Sequence, residues 1–144
     1  MEEGCVFCQI IEGTLPASIV YEDDLVLAFM DLNPVNTGHM LVIPKVHAPY
    51  LKDLDNETAG HMMKIAHKLA GALRDTDIPC EGVNLFLADG EAAMQEVFHA
   101  HLHIIPRFDG DGFGLKHGSK NFVTRNRQEL DEVAEKIKST CLPS

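Results

Sequence analysis

Basic residues are scarce in this chain of 144 residues. Twelve lysines and arginines stand against 22 aspartates and glutamates, and the formal net charge at pH 7 is −10. Because polynucleotides are bound largely by releasing their counterions to a basic surface, this charge predicts no nucleic-acid partner. A small phosphate compound needs only a few local groups, so the acidity does not exclude that kind of ligand.

Long apolar runs are missing as well. The chain has no stretch of about 18 apolar residues, the length that spans a bilayer, and no membrane partner is predicted. The opening residues Met1-Glu2-Glu3-Gly4 are acidic and lack the apolar region of a secretory signal. We therefore expect a cytoplasmic protein, and the length suits a single domain with its own core.

Cysteines are few, at positions 5, 8, 80 and 141. Cys5 and Cys8 form one Cys-x-x-Cys pair, which supplies half of a tetrahedral zinc site. No second pair of this kind exists, so histidines would have to complete the site, and His47 and His99 are available. Inert or redox-active thiols are the alternatives, although a redox pair expects a βαβ context that this N-terminus lacks.

Histidines are concentrated in the stretch 97–107, where His99, His101 and His103 alternate with apolar residues. This alternation predicts a half-buried strand, because successive side chains point to opposite faces. We expect Pro106 to end the strand or to place it at an edge. The face predicted to enter the core carries Phe98, Ala100, Leu102 and Ile104.

Three imidazoles on one face are rarely a packing solution. Histidine titrates near neutral pH and serves both as a metal ligand and as a general acid or base. The stretch therefore indicates either a metal site or a nucleophilic, acid–base site, and the alternation alone does not decide between them. A solvated face that happens to be rich in histidine is the third reading.

The rest of the chain predicts two main helices. Asp55 or Asn56 can cap the first, and its apolar stripe ends at Leu73, leaving His61 and His67 as solvated positions. The second is the last element of the chain, with Asn126 as its cap and Glu129 as the capping-box partner.

Strand-like segments complete the pattern. They lie at 18–22, 25–30, 39–44 and 83–88, in addition to the histidine stretch. Because a helix interrupts the strand order only once, an α+β fold with a five-stranded antiparallel sheet is favoured over a parallel sheet. We expect one domain over 1–144, with its core at 5–108 and a C-terminal loop and helix at 109–144.

The segment His99-Ala100-His101-Leu102-His103-Ile104-Ile105 resembles the histidine triad (HIT) motif, and other blocks resemble the same family in order. These blocks are Cys5-Val6-Phe7-Cys8-Gln9-Ile10-Ile11, Tyr21-Glu22-Asp23-Asp24, Ala28-Phe29-Met30-Asp31-Leu32-Asn33-Pro34, Gly38-His39-Met40-Leu41-Val42-Ile43-Pro44-Lys45 and Gln95-Glu96-Val97-Phe98. The resemblance is closest to the zinc-bearing, bacterial-type, Hint-like branch. It implies a HIT-like fold whose sheet extends across a homodimer.

The resemblance also implies an activity. It is hydrolysis or transfer at the α-phosphate of a purine nucleoside monophosphate derivative, such as an adenylate phosphoramidate or another AMP conjugate. His101 would be the nucleophile and form a nucleotidyl-histidine intermediate. His103 would contact the phosphate or leaving group, with His39 in support. His99 would orient the site and also bind a structural Zn²⁺ with Cys5, Cys8 and His47.

Substrate contacts follow from the same resemblance. Asp31 matches the carboxylate that holds the ribose hydroxyls, and Gln95 matches the glutamine of the phosphate loop. The base pocket would contain Phe7, Ile10, Phe29 and Leu32, although these are equally well read as plain core residues.

Three positions depart from the family pattern. Met94 stands where a glycine is frequent, Glu96 replaces a serine or threonine, and Ala88 replaces an asparagine. These departures leave open a second function, a purine-nucleotide binding module with little turnover. The three histidines leave open a third, a metal-dependent enzyme that uses them as ligands.

Overall fold

Five strands form one antiparallel sheet in the order β1-β2-β3-β5-β4. The structure is a computed structural model that describes residues 2–141. The strands are β1 (Ile19–Glu22), β2 (Val26–Met30), β3 (Met40–Pro44), β4 (Gly82–Phe86) and β5 (Leu102–Arg107). The predicted α+β fold and its antiparallel sheet are confirmed.

Three α-helices accompany the sheet: α1 (Val6–Glu12), α2 (Asn56–Arg74) and α3 (Arg127–Cys141). Both predicted main helices are confirmed, with their caps. The backbone N–H of Thr58 donates to Asp55 at 2.7 Å, and Asn126 and Glu129 bond each other reciprocally across the start of α3. The short helix α1 adds to the two that were predicted. No helix within residues 2–141 has the length and apolar character needed to cross a membrane.

The central strands are buried on both faces. One face packs its alternate residues, such as Val26 and Val42, against α2. The other face packs Leu27 and Ile43 against α1 and the cysteines. Burial on both faces explains why β2 and β3 read as continuous apolar runs rather than as alternating ones.

The chain divides after Gly112 into two compact units. The first carries the sheet, α1 and α2. The second carries α3, whose apolar residues Leu130, Val133 and Ile137 are exposed. The single-domain boundary of 1–144 therefore stays a prediction.

The histidine stretch differs from the predicted strand. Strand β5 begins only at Leu102, so His99 and His101 precede it. At these positions the chain bonds other backbone groups instead of a regular ladder. The side chain of His99 bonds the carbonyl of Pro44, that of His101 bonds the carbonyl of His99, and Ala100 N–H donates to Ala48. Three of the four residues predicted to enter the core, Ala100, Leu102 and Ile104, are buried, but Phe98 is 40% exposed. The opposite face is not solvated, because His99 is 0% exposed and His101 is 6% exposed.

Two smaller expectations need correction. Strand β5 does not end at Pro106, which pairs with Val83 of β4. The expected edge is confirmed at that point, because β3 pairs with β5 only as far as Ile104 and Pro106 is paired on one side only. His61 is not a freely solvated position, because its Nε2 lies 2.5 Å from the carboxylate of Asp23.

Candidate active site and metal cluster

Two cysteines and two histidines converge beside α1. Cys5 is the N-cap of the helix and Cys8 lies in its first turn, so the helix start holds both thiols on one side. The loop after β3 brings His47, whose Nδ1 lies 3.2 Å from the sulfur of Cys8. Nδ1 of His99 lies 3.5 Å from the sulfur of Cys5 and 3.6 Å from that of Cys8. The structure thus brings together all four predicted metal ligands.

The proton arrangement of His99 suits a metal ligand. Its Nε2 lies 2.8 Å from the carbonyl oxygen of Pro44, which can only accept, so Nε2 carries the proton. The lone pair of Nδ1 therefore faces the two sulfurs. A metal-bound histidine in proteins commonly donates its other N–H to a carbonyl in this way.

The spacing of the four ligand atoms fits zinc. A tetrahedral site with ordinary zinc–sulfur and zinc–nitrogen bonds has sulfur–nitrogen edges of about 3.6 Å. The observed sulfur–nitrogen distances, from 3.2 to 3.6 Å, are close to this edge. Burial raises the pKa of the Cys8 thiol, and a bound dication would reverse that effect by stabilising the thiolate.

The side chain of His101 has the opposite tautomer. Its Nδ1 lies 2.8 Å from the carbonyl oxygen of His99, so Nδ1 carries the proton and the lone pair is on Nε2. The ring of Phe7 packs edge-on against it, with the ring centroids 5.1 Å apart. Burial lowers the pKa of His101 below its ordinary value. A neutral imidazole with a fixed lone pair is the form that a nucleophile requires.

His39 and His103 form a directed chain of hydrogen bonds. The backbone N–H of Val35 can only donate, and it donates to Nδ1 of His39 at 3.0 Å. Nε2 of a neutral His39 therefore carries the proton and donates to Nδ1 of His103 at 2.9 Å. The remaining proton of His103 is on its Nε2, which is left as a donor. Burial, with the neighbouring His101 and His39, lowers the pKa of His103 to about 4, so this neutral form is the one present at pH 7.

The carboxylate of Asp31 lies next to this chain. One oxygen is 3.4 Å from Nε2 of His39, and the other accepts the backbone N–H of Asn33 at 2.8 Å. Burial lowers the pKa of His39, and the charge of Asp31 opposes that shift. The carboxylate therefore reinforces the placement of the proton on Nε2.

Asp31, His39 and His103 also offer three converging ligand atoms. A metal at this point would need the lone pair of His39 Nε2, but that atom carries the proton because Val35 N–H occupies Nδ1. The group is thus poorly suited to a metal. Within residues 2–141, moreover, the ligand atoms of His99, His101 and His103 do not converge on one point. The arrangement argues against a metal held by the three motif histidines.

The side chain of Gln95 stabilises the loop before the histidine triad through hydrogen bonds to the backbone. The side chain of Gln95 is buried and accepts Gly90 N–H at 2.8 Å, while its own N–H groups donate to Pro49 at 2.7 Å and to Val97 at 2.9 Å. Both amide donors are used by backbone carbonyls, one in the same loop at Val97 and one in the segment after β3 at Pro49. The substrate contact expected of Gln95 stays a prediction.

Met94 and Glu96 flank that glutamine and are exposed. Met94 has a φ of 71°, the left-handed conformation that favours the glycine usual at this position. The negative charge of Glu96 is close enough to raise the pKa of His101 slightly, against the larger effect of burial. Ala88, the third departure, is buried.

The four residues expected in the base pocket do not share one environment. Phe7 and Phe29 are buried and stack edge-on with centroids 5.7 Å apart, and Ile10 packs against the same cluster. Leu32 is 92% exposed. The two phenylalanines are core residues in this structure, and a role for the four in base binding stays a prediction.

Comparison with known proteins decides the family. A family model described as the HIT domain matches residues 12–110. The chain belongs to the HIT family. An uncharacterised HIT-like protein of Borreliella burgdorferi is 49% identical over 128 residues, which cover 88% of this chain and 92% of that protein. The adenylylsulfatase HINT3 of Arabidopsis thaliana is 34% identical over 139 residues, covering 96% of this chain and 68% of that protein.

Solved structures of HIT proteins share the fold. A HIT family protein of Bacillus anthracis has a TM-score of 0.87 at 40% identity, covering 99% of this chain and 100% of that one. A zinc-bound histidine triad protein of Mycobacterium smegmatis has a TM-score of 0.74 at 36% identity, covering 94% and 96%. A histidine triad nucleotide-binding protein of Candida albicans has a TM-score of 0.82 at 29% identity, covering 94% and 96%. The family to which the chain belongs thus includes nucleotide-binding proteins and hydrolases.

The sequence did not predict the backbone groups that set the three tautomers. They are the carbonyls of Pro44 and His99 and the N–H of Val35. Nearly every residue carries such groups, so no residue type marks them in a sequence.

Proposed function

We propose that this HIT protein is a nucleotide hydrolase or transferase that acts at the α-phosphate of purine nucleoside monophosphate derivatives. Adenylate phosphoramidates and other AMP conjugates are the substrate class. The observation that carries the proposal is the tautomer of His101, whose Nδ1 proton is held by the His99 carbonyl at 2.8 Å. That bond leaves the Nε2 lone pair ready to attack.

The reaction has two steps. Nε2 of His101 attacks the α-phosphorus and forms a phosphorus–nitrogen bond while the bond to the leaving group breaks. The leaving group departs with the electron pair of that bond and takes up a proton. Water then attacks the nucleotidyl-histidine, loses a proton to solvent and releases AMP, and His101 regains its lone pair.

The neighbouring side chains assist this chemistry. Nε2–H of His103 donates to a phosphate oxygen or to the leaving atom, where negative charge develops. His39 keeps the proton of His103 on that atom through their 2.9 Å hydrogen bond. Asp31 accepts the ribose hydroxyls, and the apolar residues near α1 receive the base.

A structural zinc ion is part of the proposal. Cys5, Cys8, His47 and His99 would hold it, and when bound it would compensate the buried thiolates and tie α1 to the triad segment. The donor set supports this, because two thiols and two imidazoles are a common structural zinc site. Such a site needs reduced thiols, which is consistent with the expected cytoplasmic location.

The proposal includes a homodimer, formed where the edge strand β4 meets a second copy of the chain. Within the described part of the chain, β4 pairs on one side only, with β5. Its residue Leu85 is 40% exposed. An unpaired edge strand with an exposed apolar side chain can continue the sheet into a second copy.

The test is AMP release from adenosine 5′-phosphoramidate. We expect the wild type to release AMP and His101→Ala to lose at least about a thousandfold in rate, because the nucleophile is removed. His67→Ala, which changes an exposed histidine of α2, is the matched control and should keep the wild-type rate. Substrate labelled at the α-phosphorus should transfer its label to wild-type protein on rapid quenching.

Other outcomes would identify the alternatives. AMP binding without release or labelling by the wild type would favour the binding module, for which the acidic Glu96 beside His101 is the supporting observation. Rapid loss of activity on chelation, with immediate recovery on adding metal and no change in stability, would favour a metal-dependent enzyme.

A further inference from the structure

Asn36 connects two parts of the molecule that flank the site. It lies in the loop between β2 and β3, and its side-chain amide donates to the carbonyl of Pro106 and to Asp111, both at 2.9 Å. Its own carbonyl accepts the backbone N–H of His39 at 3.1 Å. The residue therefore ties the turn before His39 to the end of β5.

Asp111, which accepts a hydrogen bond from Asn36, is itself held in place by Arg107. The carboxylate of Asp111 is 3% exposed and pairs with Arg107 through two hydrogen bonds, of 2.6 Å from Nε and 2.8 Å from Nη2. A second arm of the same guanidinium donates to Asn84 of β4 at 2.7 Å. Paired, bidentate contacts of this kind fix geometry as well as charge.

The turn held by Asn36 includes the donor that sets the tautomer of His39. That donor is the N–H of Val35, the preceding residue, which lies 3.0 Å from Nδ1 of His39. Packing leaves the turn little freedom, because a Cβ at Gly38 would lie 3.1 Å from Leu73 and 3.4 Å from Pro106. If Val35 moved away, Nδ1 of His39 could hold the proton itself, and Nε2 would no longer donate to His103.

We propose that Asn36 is a positioning residue of this active site, which holds Val35 N–H against His39 and so fixes the direction of the His39–His103 hydrogen bond. Its importance for turnover rests on the proposed function, since His103 acts there on the phosphate. Asn36 itself need not touch the substrate. Asp31 favours the same proton arrangement through its 3.4 Å contact with His39, so loss of Asn36 weakens the preference without reversing it.

The test compares Asn36→Ala and Asn36→Ser with the wild type. Long-range proton–nitrogen NMR distinguishes the protonated ring nitrogen of each histidine from the unprotonated one. We expect one tautomer of His39 and His103 in the wild type, a mixture in Asn36→Ala, and a smaller change in Asn36→Ser, whose hydroxyl keeps one donor. In parallel, kcat for AMP release should fall about tenfold in Asn36→Ala with KM within about twofold.

Asp55→Ala is the control, because it removes a side-chain hydrogen bond at the N-cap of α2 rather than in the turn of Asn36. It should leave the histidine tautomers and kcat at their wild-type values. Unchanged tautomers in both Asn36 variants would overturn the proposal, as would an equal change in Asp55→Ala. The NMR result decides the role of Asn36 even if the wild type releases no AMP. An absence of AMP release would contradict the proposed function and leave the role of Asn36 unaffected.

Discussion

Two histidine clusters lie close together in this protein and use the same side chain in opposite ways. In the thiol cluster, Nδ1 of His47 and Nδ1 of His99 point toward the sulfurs of Cys5 and Cys8. In the second cluster, the chain from Val35 through His39 to His103 alternates donor and acceptor. In the first arrangement the ring nitrogens converge on one point. In the second, each N–H donates to the next ring, so that all the hydrogen bonds run in one direction.

The contrast comes from single backbone groups. A carbonyl at Pro44 places the proton of His99 on Nε2 and leaves Nδ1 for a cation. A backbone N–H at Val35 does the reverse to His39, and it thereby spoils that ring as a metal ligand. Histidine content alone therefore does not separate a metal site from an acid–base site, whereas the partner of the second ring nitrogen does.

The largest effect should come from breaking the thiol cluster. Cys8→Ala removes a proposed zinc ligand that is 0% exposed, and we expect it to lower the unfolding free energy of zinc-loaded protein by about 3 kcal/mol, or roughly 10 °C in midpoint. Chelation of the wild type should give a similar shift. Cys80→Ala is the control, since that thiol lies outside the cluster. Equal midpoints for Cys8→Ala and Cys80→Ala would contradict a zinc site.

The next effect should come from breaking the hydrogen-bond chain. His39→Phe keeps a ring but removes both nitrogens, so Val35 N–H and Nδ1 of His103 lose their partner. We expect kcat for AMP release to fall about 10- to 100-fold. Zinc content, measured by metal analysis, should stay at the wild-type level. A variant with wild-type kcat would show that the chain has no part in turnover.

Lowering the pH should destabilise the fold, because His103 stays neutral in the folded protein at a pH at which the unfolded chain protonates it. The pKa of His103 is about 4 in the fold against an ordinary value of 6.5, so the unfolded chain binds more protons between these values. The contribution of His103 to the free energy of unfolding should therefore be fully present above pH 6.5 and be lost as the pH is lowered toward 4. Denaturant titrations in this window would measure it. His103→Asn should show a shallower slope, and a slope as steep as that of the wild type would assign the effect to other groups.

The smallest effect should come from a histidine outside both clusters. His61 bonds Asp23, but that carboxylate keeps Tyr21 and two backbone donors when the imidazole is removed. We expect His61→Ala to cost about 0.5–1 kcal/mol in unfolding free energy and to leave kcat unchanged. A thermal melt and a turnover assay measure the two quantities. A loss of kcat beyond about twofold would mean that the two histidine clusters are coupled to α2.

Much of the fold could be predicted because its signals are local. The caps of α2 and α3 at Asp55 and Asn126 depend on a few neighbouring residues, and both were predicted. The apolar runs of β2 and β3 also mark strands directly. The short helix α1 was harder, since seven residues carry too little periodicity to separate a helix from a turn.

The histidine stretch shows where sequence reasoning stops. Alternation predicted one regular strand from 97, but side-chain bonds to the backbone at His99 and His101 delay β5 to Leu102. Those partners come from distant segments or from the main chain, which a pattern of residue types does not reveal. The candidate site was thus predictable as a set of residues, whereas its proton arrangement needed the three-dimensional structure.

The contact between Cys5 and His99 also bears on the order of assembly. The two residues are separated by 94 positions, so the thiols are synthesised long before their last partner. Closing so long a loop costs entropy that grows only slowly with its length, by about 0.6 kcal/mol for each doubling. Until His99 emerges from the ribosome, the N-terminal segment lacks its attachment to the triad. Helix α1 can pack on β2 and β3 as soon as those strands are made, whereas its contact with the triad segment waits for His99.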